Sequence, residues 1–397
     1  MRVLAAVDKF KGSLTASEVA AHLGLGLRAA QPGVEVVELP IADGGEGTLE
    51  AAEAAGYRRR TLTVAGPTGE PLQASLAVSG RTAVVEMAAA SGLALLPHGQ
   101  RHPLTATSRG TGELVRAALD EGCETIVLGV GGSACTDGGA GLLQALGLSI
   151  TDSAGLEVGP GGAALRLADR VDATGLDPRL AGTTVVLASD VDNPLTGVQG
   201  APAVYGPQKG ATPEDVAVLE AGLTRWVAVL ADALGPQVRD AARSPGAGAA
   251  GGLGFAAVAA LNGTFRPGID VVLELTGFHR HLVGADLVIT GEGSLDAQSL
   301  HGKAPVGVAS AAAGAAVPVV AVAGVVQISD EALAGVGIRR AYALTDLEPD
   351  LDRCIREAGP LLEELAQRVA RDWLTPRRRG DRPPRREPVR TQSEADT

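Results

Sequence analysis

The 397-residue sequence predicts an α/β protein of two α/β domains, one with a parallel sheet and one, inserted into it, with a mixed sheet. Three observations lead to this fold class. Strands and helices alternate near both ends of the chain, which is typical of parallel sheets. Short strands with hairpin-like turns interrupt that alternation after residue 60. The length also favours two domains, at roughly 100–200 residues per domain.

The first elements are a strand, a helix, a second strand and a second helix. Val3–Val7 is a continuous apolar run, as expected for a buried strand. A helix begins near Thr15, because Thr15-x-x-Glu18 is a capping-box pattern. Val34–Ile41 predicts the next strand, and a glycine-rich loop then leads into a helix that ends at Gly56. This order predicts parallel strands joined by right-handed crossovers.

The middle of the chain begins with short strands separated by Gly and Pro, which are typical of the turns in β-hairpins. These strands are Thr61–Val64, Leu72–Val78 and Thr82–Met87. Strand–helix units then return at Thr107–Glu121, Thr125–Leu146 and Thr183–Ser189. A mixed sheet is therefore expected here.

The C-terminal elements repeat the pattern of the N-terminus. Leu287–Thr290 predicts a strand, which is followed by a loop, a helix and the strand Val317–Ala323. Ala304–Val326 has no charge over 23 residues, but it is rich in Ala and Gly and contains Pro318. We therefore interpret it as a buried helix followed by a parallel strand, and not as a membrane span.

These elements predict a discontinuous domain and an insertion. The discontinuous domain comprises residues 1–62 and 283–370, and the inserted domain comprises residues 63–282. Residues 376–397 carry seven arginines and several prolines, and this tail is expected to be disordered.

Composition excludes several classes of function. The net charge of −12 argues against nucleic acid as a partner. The three cysteines form no CxxC pair and the six histidines form no HExxH motif, so a structural or catalytic zinc site is not expected. With no segment resembling a signal peptide or a membrane helix, the protein is expected to be cytoplasmic. The oligomeric state is left open, with a homodimer as one candidate.

Acids and lysines recur where predicted strands end. They are Asp8, Lys9 and Lys11 after the first strand, Asp43 and Glu46 after the second, Asp137 after Thr125–Gly129, Asp190 after Thr183–Ser189, and Glu292 and Asp296 after Leu287–Thr290. Open α/β sheets bind ligands beyond the carboxyl ends of their strands. A single such acid is ordinarily a helix cap. Five loops of this kind instead favour a phosphoryl-transfer site, because crowded carboxylates repel unless a cation such as Mg²⁺ lies between them.

The segment 125–141 joins a strand, a glycine-dense loop and a helix, an arrangement that presents unpaired N–H groups to an anion. ATP phosphates are therefore assigned to Gly131, Gly132, Ser133, Gly138 and Gly139. No GxxxxGK[ST] motif occurs. Gly129-x-Gly-x-x-Ala134 supports an alternative, a nicotinamide-dependent oxidoreductase of a small hydroxy acid. A similar pattern at 246–251 follows no strand and is discounted.

Individual roles follow from residue type. Asp190, with Asp137 as second choice, either binds Mg²⁺ or accepts the proton of the substrate hydroxyl. Lys9 and Lys11 are candidates for the transferring phosphoryl group or a substrate carboxylate, and Glu292 and Asp296 close the cleft from the other domain. The remaining candidates for substrate binding are Asp8, Ser13, Asp43, Glu46, Arg109 and Lys209.

Taken together, these segments resemble the bacterial glycerate kinase family of type I. The strings that carry the resemblance include DKFKGSLTA (8–16), ADGGEGT (42–48), GVGGSACTDGGAGLLQALG (129–147), SDVDNPL (189–195), VYGPQKGA (204–211) and ITGEGSLDAQSLHGKAPVGVA (289–309). They run in order over about residues 1–350. Ser294 stands where arginine is common in the family, and the tail has no counterpart.

The resemblance implies ATP-dependent phosphorylation of D-glycerate, to 2-phosphoglycerate in some members and 3-phosphoglycerate in others. It also implies a flavodoxin- or Rossmann-like domain, a second α/β domain, and an active site between the two. The residues by themselves reach a magnesium-dependent phosphotransferase acting on a small molecule. A nicotinamide-dependent oxidoreductase and a non-catalytic nucleotide-binding regulator are the alternatives.

Overall fold

A computed structural model describes residues 1–300 and 303–374, and the α/β fold class is confirmed in it. Its strands are β1 Arg2–Val7, β2 Glu35–Pro40, β3 Arg58–Ala65, β4 Pro71–Ser79, β5 Thr82–Glu86, β6 Thr125–Gly129, β7 Ser149–Thr151, β8 Arg170–Asp172, β9 Thr184–Ala188, β10 Thr264–Arg266, β11 Leu287–Leu295, β12 Val319–Val326 and β13 Ile338–Ala343. The predicted tail, 376–397, lies outside the described residues.

The helices cover both sheets. They are α1 Ala16–Ala30, α2 Thr48–Ala54, α3 Ala88–Ser91, α4 Arg109–Asp120, α5 Ala140–Ala145, α6 Ala201–Tyr205, α7 Pro213–Leu234, α8 Gln237–Arg243, α9 Ala249–Ala260, α10 Gly268–Leu275, α11 Phe278–Leu282, α12 Ala304–Ala313, α13 Asp330–Gly335, α14 Leu351–Arg356 and α15 Ala358–Trp373. The predicted capping box at the start of α1 is present, with Thr15 and Glu18 each bonded to the other's backbone.

The N- and C-terminal segments together form a parallel sheet of five strands in the order β13-β12-β11-β1-β2. Chain order therefore reverses between β1 and β11, and ligands of open α/β sheets bind at such a switch point. α1 and α15 pack on one face of this sheet, and α10, α11 and α12 pack on the other. The uncharged segment 304–326 is the buried helix α12 followed by β12, as predicted.

The middle of the chain forms a mixed sheet in the order β10-β9-β6-β5-β4-β3. β10, β9, β6 and β5 are parallel, while β4 and β3 are antiparallel additions at one edge. β3 spans residues 58–65, so the expected boundary at residue 62 falls within a strand that pairs with β4. The division into domains stays a prediction, and sheet membership favours a first boundary near residue 57.

Helices α2 and α10 lie between the two sheets. Leu49 and Ala52 of α2 and Val271 of α10 pack on the mixed sheet. Ala51 of α2 and Val272 of α10 pack on the parallel sheet. Because each helix is apolar on both sides, the two sheets are held with the loops after β1, β2, β6, β9 and β11 near one another, and these loops line the cleft described next.

One predicted loop is a strand in the structure. The segment 291–295 was expected to follow a strand, but β11 continues through it to Leu295 and pairs with β12, with Glu292 opposite Ala323. The glycines at 291 and 293 suggested a turn. Pairing with a neighbouring strand overrides that local preference.

Candidate active site

Two cavities lie in the cleft between the sheets. The larger, of about 650 Å³, is at the carboxyl ends of β1 and β11, where the order of the parallel sheet reverses. The smaller, of about 300 Å³, is at the carboxyl ends of β6 and β9. Both are lined by Asp43, Gly45, Gly131 and Gly132, so the two cavities meet at these two loops.

The meeting point depends on glycine. A Cβ atom on Gly131 would lie 2.9 Å from the Cα of Gly45, which is closer than side-chain carbons approach backbone. The loop after β6 can therefore approach the loop after β2 this closely only because residue 131 has no side chain. Gly131 and Gly132 thus line the cleft, as expected for a phosphate-binding loop.

The loop after β1 brings three predicted residues to the larger cavity. Asp8 is buried, and burial raises its pKa to about 6, with Asp43 adding to the effect and Lys9 opposing it. The Lys9 ammonium donates to the carbonyl of Glu46 over 2.7 Å and lies 3.4 Å from Asp8 Oδ1. Burial by itself would lower the pKa of Lys9. The negative charges of Asp8, Asp43 and Glu46 outweigh this effect, so the pKa of Lys9 is raised overall. Lys9 therefore stays charged beside the cavity, and exposed Lys11 lines the same cavity.

Glu292 reaches the larger cavity from β11. Only 14% of its side chain is exposed, its Oε2 lies 4.0 Å from the ammonium of Lys303, and its Oε1 has no hydrogen-bond partner among the described residues. Burial raises the pKa of Glu292, a hydrogen bond with Ser299 and the charge of Lys303 oppose this effect, and Asp296 and Asp43 add to it. A buried carboxylate oxygen without a partner is costly, so this atom is available to a ligand.

The smaller cavity contains Asp190 and Lys209. Asp190 follows β9 and accepts a hydrogen bond from the N–H of Gly268 over 3.1 Å. Burial raises the pKa of Asp190, and Asp43 and Asp270 add to the effect. Lys209 is only 2% exposed and donates to Ser133 Oγ at 2.8 Å and to the Cys135 carbonyl at 2.6 Å. Burial lowers the pKa of Lys209.

Asp137 does not fit its predicted role as catalytic or metal-binding acid. It is 1% exposed and lines neither cavity. Its carboxylate accepts hydrogen bonds from the N–H groups of Ser108, Gly139 and Gly141 and from the Ser108 hydroxyl. Because these donors occupy both carboxylate oxygens, Asp137 stabilises the loop and is not placed to bind a ligand.

Gly138 and Gly139 also lie away from the cleft. Both have positive φ, and a Cβ atom on Gly138 would lie 2.7 Å from Trp226 of α7. Gly139 packs against Ala256 of α9. Their assignment to ATP phosphates is therefore replaced by a packing role, because helices occupy the space that a phosphate would need.

One further assignment changes, that of Arg109, while Ser13 and Asp296 line the larger cavity and also make local hydrogen bonds. The Arg109 side chain is exposed, pairs with Glu113 one turn along α4, and lines neither cavity. Asp296 lines the larger cavity, but its carboxylate accepts from the N–H groups of Gln298 and Ser299 and so caps a turn. The Ser13 hydroxyl donates to the Ile355 carbonyl over 2.6 Å, which ties the loop after β1 to α14.

Sequence reasoning missed part of the cleft lining. The discounted glycine pattern at 246–251 supplies Ala249, Ala250 and Gly251 to the smaller cavity. Ala250 has a left-handed φ of 53°, which is unusual for a residue with a Cβ atom. Backbone strain of this kind is often found in functional loops. Tyr205 also lines this cavity and donates to Asn193 Oδ1 over 2.5 Å. The apolar residues of α14 gave no signal in the sequence.

The nicotinamide-binding alternative does not fit the geometry. In the dinucleotide fingerprint, the glycine run opens a helix directly after the strand. Here β6 ends at Gly129 and α5 begins only at Ala140. The intervening loop instead lines the cleft through Gly131, Gly132 and Ser133.

The side chains in the cleft limit how a metal ion could be bound. Within residues 1–300 and 303–374, no three His, Cys, Asp or Glu side chains are grouped closely enough to hold a metal ion by themselves. Asp43 and Asp190 both line the smaller cavity. Mg²⁺ commonly binds through one or two carboxylates together with phosphate oxygens, so this pair fits an ion brought in with a nucleotide.

Similarity to known proteins covers nearly the whole described chain. Residues 3–374 match the model of the glycerate kinase family. The chain is 45% identical to a glycerate kinase of Bacillus subtilis (strain 168) over 373 residues, covering 93% of this chain and 97% of that protein. It is 46% identical over 327 residues to a glycerate 2-kinase of Escherichia coli (strain K12), covering 82% and 85%.

A solved structure is similar over the same extent. It is described as a "putative glycerate kinase 2" from Salmonella typhimurium LT2, with a TM-score of 0.82 and 43% sequence identity. The match covers 94% of this chain and 98% of that one. No helix in the described part of the chain is long and apolar enough to cross a membrane.

Proposed function

The chain belongs to the glycerate kinase family and is a kinase, and from this premise we propose that it transfers the γ-phosphoryl group of ATP to the 2-hydroxyl of D-glycerate, giving 2-phosphoglycerate. The observation that carries the proposal is the pair of cavities that meet at Gly45 and Gly131. A transfer between two substrates needs two adjoining sites with a shared point for the migrating group. The choice of the 2-hydroxyl rests on the similarity to the E. coli glycerate 2-kinase.

Size and lining suggest which substrate each cavity takes. The smaller cavity is polar around Lys209, Ser133 and Asp190, as a three-carbon hydroxy acid would require. The larger cavity has room for a nucleotide and is lined by Lys9 and Lys11, and Lys9 contacts the loop after β2 through the Glu46 carbonyl. The γ-phosphate would then lie at the shared loops, near the N–H groups of Gly131 and Gly132, which are suited to bind its charge.

The reaction forms one bond and breaks another. The substrate hydroxyl oxygen bonds to the γ-phosphorus as the bond from that phosphorus to the bridging oxygen breaks, leaving ADP. The hydroxyl proton passes to a carboxylate, for which we propose Asp190, whose raised pKa favours accepting it. Lys9 and Lys11 would stabilise negative charge on the phosphates.

Asp43 and Asp190 would hold Mg²⁺ if the ion binds with ATP. It would neutralise charge on the phosphate oxygens. Asp190 thus has two candidate roles, which differ in their dependence on the metal.

The function is tested by incubating the protein with Mg-ATP and D-glycerate and measuring ADP through a coupled assay. We expect ADP only when glycerate is present. Adding enolase without phosphoglycerate mutase should convert the product to phosphoenolpyruvate, since enolase acts on 2-phosphoglycerate. A product that needs the mutase would be 3-phosphoglycerate, and no ADP above the glycerate-free control would contradict the proposed kinase and favour the nucleotide-binding regulator.

The role of Asp190 is tested with Asp190→Asn over a Mg²⁺ titration. Loss of a base should lower kcat about 10²-fold or more while the apparent Mg²⁺ affinity is unchanged. Loss of a metal ligand should weaken the apparent Mg²⁺ affinity and lower kcat together. Kinetics equal to the wild type at every Mg²⁺ concentration would exclude both roles.

A further inference from the structure

One wall of the larger cavity is apolar and open to solvent. Leu351 and Ile355, on the inner face of the six-residue helix α14, are 54% and 49% exposed. Val325 at the end of β12 and buried Leu344 continue the same wall. Large aliphatic side chains left exposed around a concave surface usually contact a ligand or a partner.

We infer that this wall binds the adenine base of ATP, and that Leu351 and Ile355 are the residues that recognise it. The inference rests on the proposed kinase function, and it assigns the nucleotide to the switch point of the parallel sheet. It differs from an assignment of ATP to the loop after β6 alone, because Gly138 and Gly139 of that loop are packed under α7 and α9.

The order of groups along the cavity supports a nucleotide as the occupant. At one end are the apolar side chains of α14, and at the other are Gly131 and Gly132, shared with the smaller cavity. Lys9, Lys11 and Lys303 line the same cavity and supply positive charge for phosphates. They lie among the carboxylates Asp8, Asp43, Glu46, Glu292 and Asp296, which a cation bound with the phosphates would balance. An apolar base joined to an anionic chain matches this sequence of apolar wall, lysines and phosphate-binding loop. A wholly apolar ligand would leave the lysines without a function.

A hydrogen bond couples the wall to the catalytic side. Ser13, on the loop that carries Lys9 and Lys11, donates from its hydroxyl to the carbonyl of Ile355 over 2.6 Å. α14 is only six residues long, and helices this short depend on outside contacts for their position. Ser13 therefore ties α14 to the loop that carries Lys9 and Lys11, so that the apolar wall and the lysines line one cavity.

The test is the double variant Leu351→Ser/Ile355→Ser, which removes apolar surface without adding charge. Because both side chains are about half exposed, folding should be preserved, as checked by the melting temperature. We expect the Kd for ADP, measured by calorimetry without turnover, and the KM for ATP to rise about tenfold. The KM for D-glycerate and kcat at saturating ATP should stay within about twofold of the wild type.

The matched control is Leu156→Ser, which replaces an apolar side chain that is 67% exposed and lines neither cavity. It should leave every constant unchanged. An ADP affinity of the double variant equal to that of the wild type would overturn the inference, as would a rise confined to the KM for D-glycerate. A change in sedimentation with unchanged ADP affinity would instead make the wall a protein interface. Since ADP binding is measured without glycerate, an inactive but ADP-binding wild type would count against the kinase proposal alone.

Discussion

The loop after β6 and the end of β11 carry acids that look alike in sequence and differ in the folded protein. Asp137 is surrounded by three backbone N–H groups and a hydroxyl, all within 3.3 Å. Glu292 is also largely buried, yet one of its oxygens has no partner in the described part of the chain and lies beside an open cavity. Asp137 therefore stabilises the fold, whereas Glu292 has a carboxylate oxygen that can contact a ligand in the cavity.

The difference lies in where the donors come from. Ser108 precedes α4 and reaches Asp137 from 29 residues away along the chain, so the helix start and the glycine loop share one carboxylate. That network fixes the loop whose first glycines line the cleft. Around Glu292, the ammonium of Lys303 lies 4.0 Å from Oε2 and Ser299 helps to lower the pKa, but Oε1 has no hydrogen-bond partner among the described residues. Satisfied and unsatisfied carboxylates can therefore be told apart by their partners and not by their position after a strand.

The largest effect should come from breaking the satisfied site. Asp137→Asn replaces an acceptor by an amide whose NH2 group would face N–H donors. We expect the free energy of unfolding to fall by about 4 kcal/mol, the scale for removing one partner of a buried charged network. Urea unfolding measures this change. The exposed turn acid Asp152, changed to Asn, is the control and should cost less than about 1 kcal/mol.

The same comparison predicts that folded Asp137→Asn remains active. At a temperature where the variant is folded, its kcat should lie within about threefold of the wild type, because Asp137 lines neither cavity. A kcat reduced 10²-fold in folded protein would return Asp137 to the catalytic site and remove the contrast with Glu292.

The unsatisfied site should respond in the opposite way. Glu292→Gln retains shape and removes charge, so we expect kcat to fall about 10²-fold or more. Stability should be unchanged or raised, because burial of the charged carboxylate disfavours folding, as its raised pKa indicates. The exposed residue Glu70 provides the control Glu70→Gln, with no change expected. An unaltered kcat would reduce Glu292 to a strand residue without a role in the reaction.

Asp8 offers a second test of what an incompletely satisfied buried carboxylate costs in stability, because that cost depends on pH. Its pKa is about 6 in the folded protein against 3.8 for an unperturbed side chain, so the folded state holds its proton more tightly than the unfolded state does. Ionisation of Asp8 therefore destabilises the fold as pH rises from about 4 to 6, and the whole cost is present at pH 7. We expect Asp8→Asn to raise the free energy of unfolding by about 3 kcal/mol at pH 7.

That gain should disappear as the pH is lowered through 6 towards 4, because wild-type Asp8 then becomes protonated in the folded protein. Urea unfolding of both proteins at several pH values measures the difference, and other titrating groups cancel in it. A stability gain that does not depend on pH would show that ionisation of Asp8 does not destabilise the folded protein.

The smallest effect concerns Arg109. The sequence predicted a substrate-binding cation, while the structure turns its side chain to solvent in a pair with Glu113. Arg109→Ala should therefore leave the KM for D-glycerate and for ATP within about twofold, and stability within about 0.5 kcal/mol. A KM for D-glycerate raised tenfold would show that α4 contributes to the smaller cavity.

The sequence alone determined the local elements and the order of groups along the chain. The apolar run of β1, the capping box of α1 and the glycine loop after β6 are short-range patterns, and each is present where it was predicted. The positions of Asp8, Asp43 and Asp190 after their strands also followed from the sequence. Asp8 and Asp43 follow neighbouring parallel strands of one sheet and could be expected near one another, whereas Asp190 follows a strand of the other sheet and is brought to the cleft by the packing of the two sheets.

Only the tertiary structure decided which of these groups remain free. Asp137 is satisfied by Ser108, Glu292 lies inside a strand because β12 pairs with it, and Ile355 lines the larger cavity because Ser13 ties α14 to the loop after β1. Each of these contacts joins residues that are distant in the chain, and hydrogen-bond donors and apolar partners are supplied by packing. A sequence pattern records that an acid follows a strand, but its burial and its partners are properties of the assembled fold.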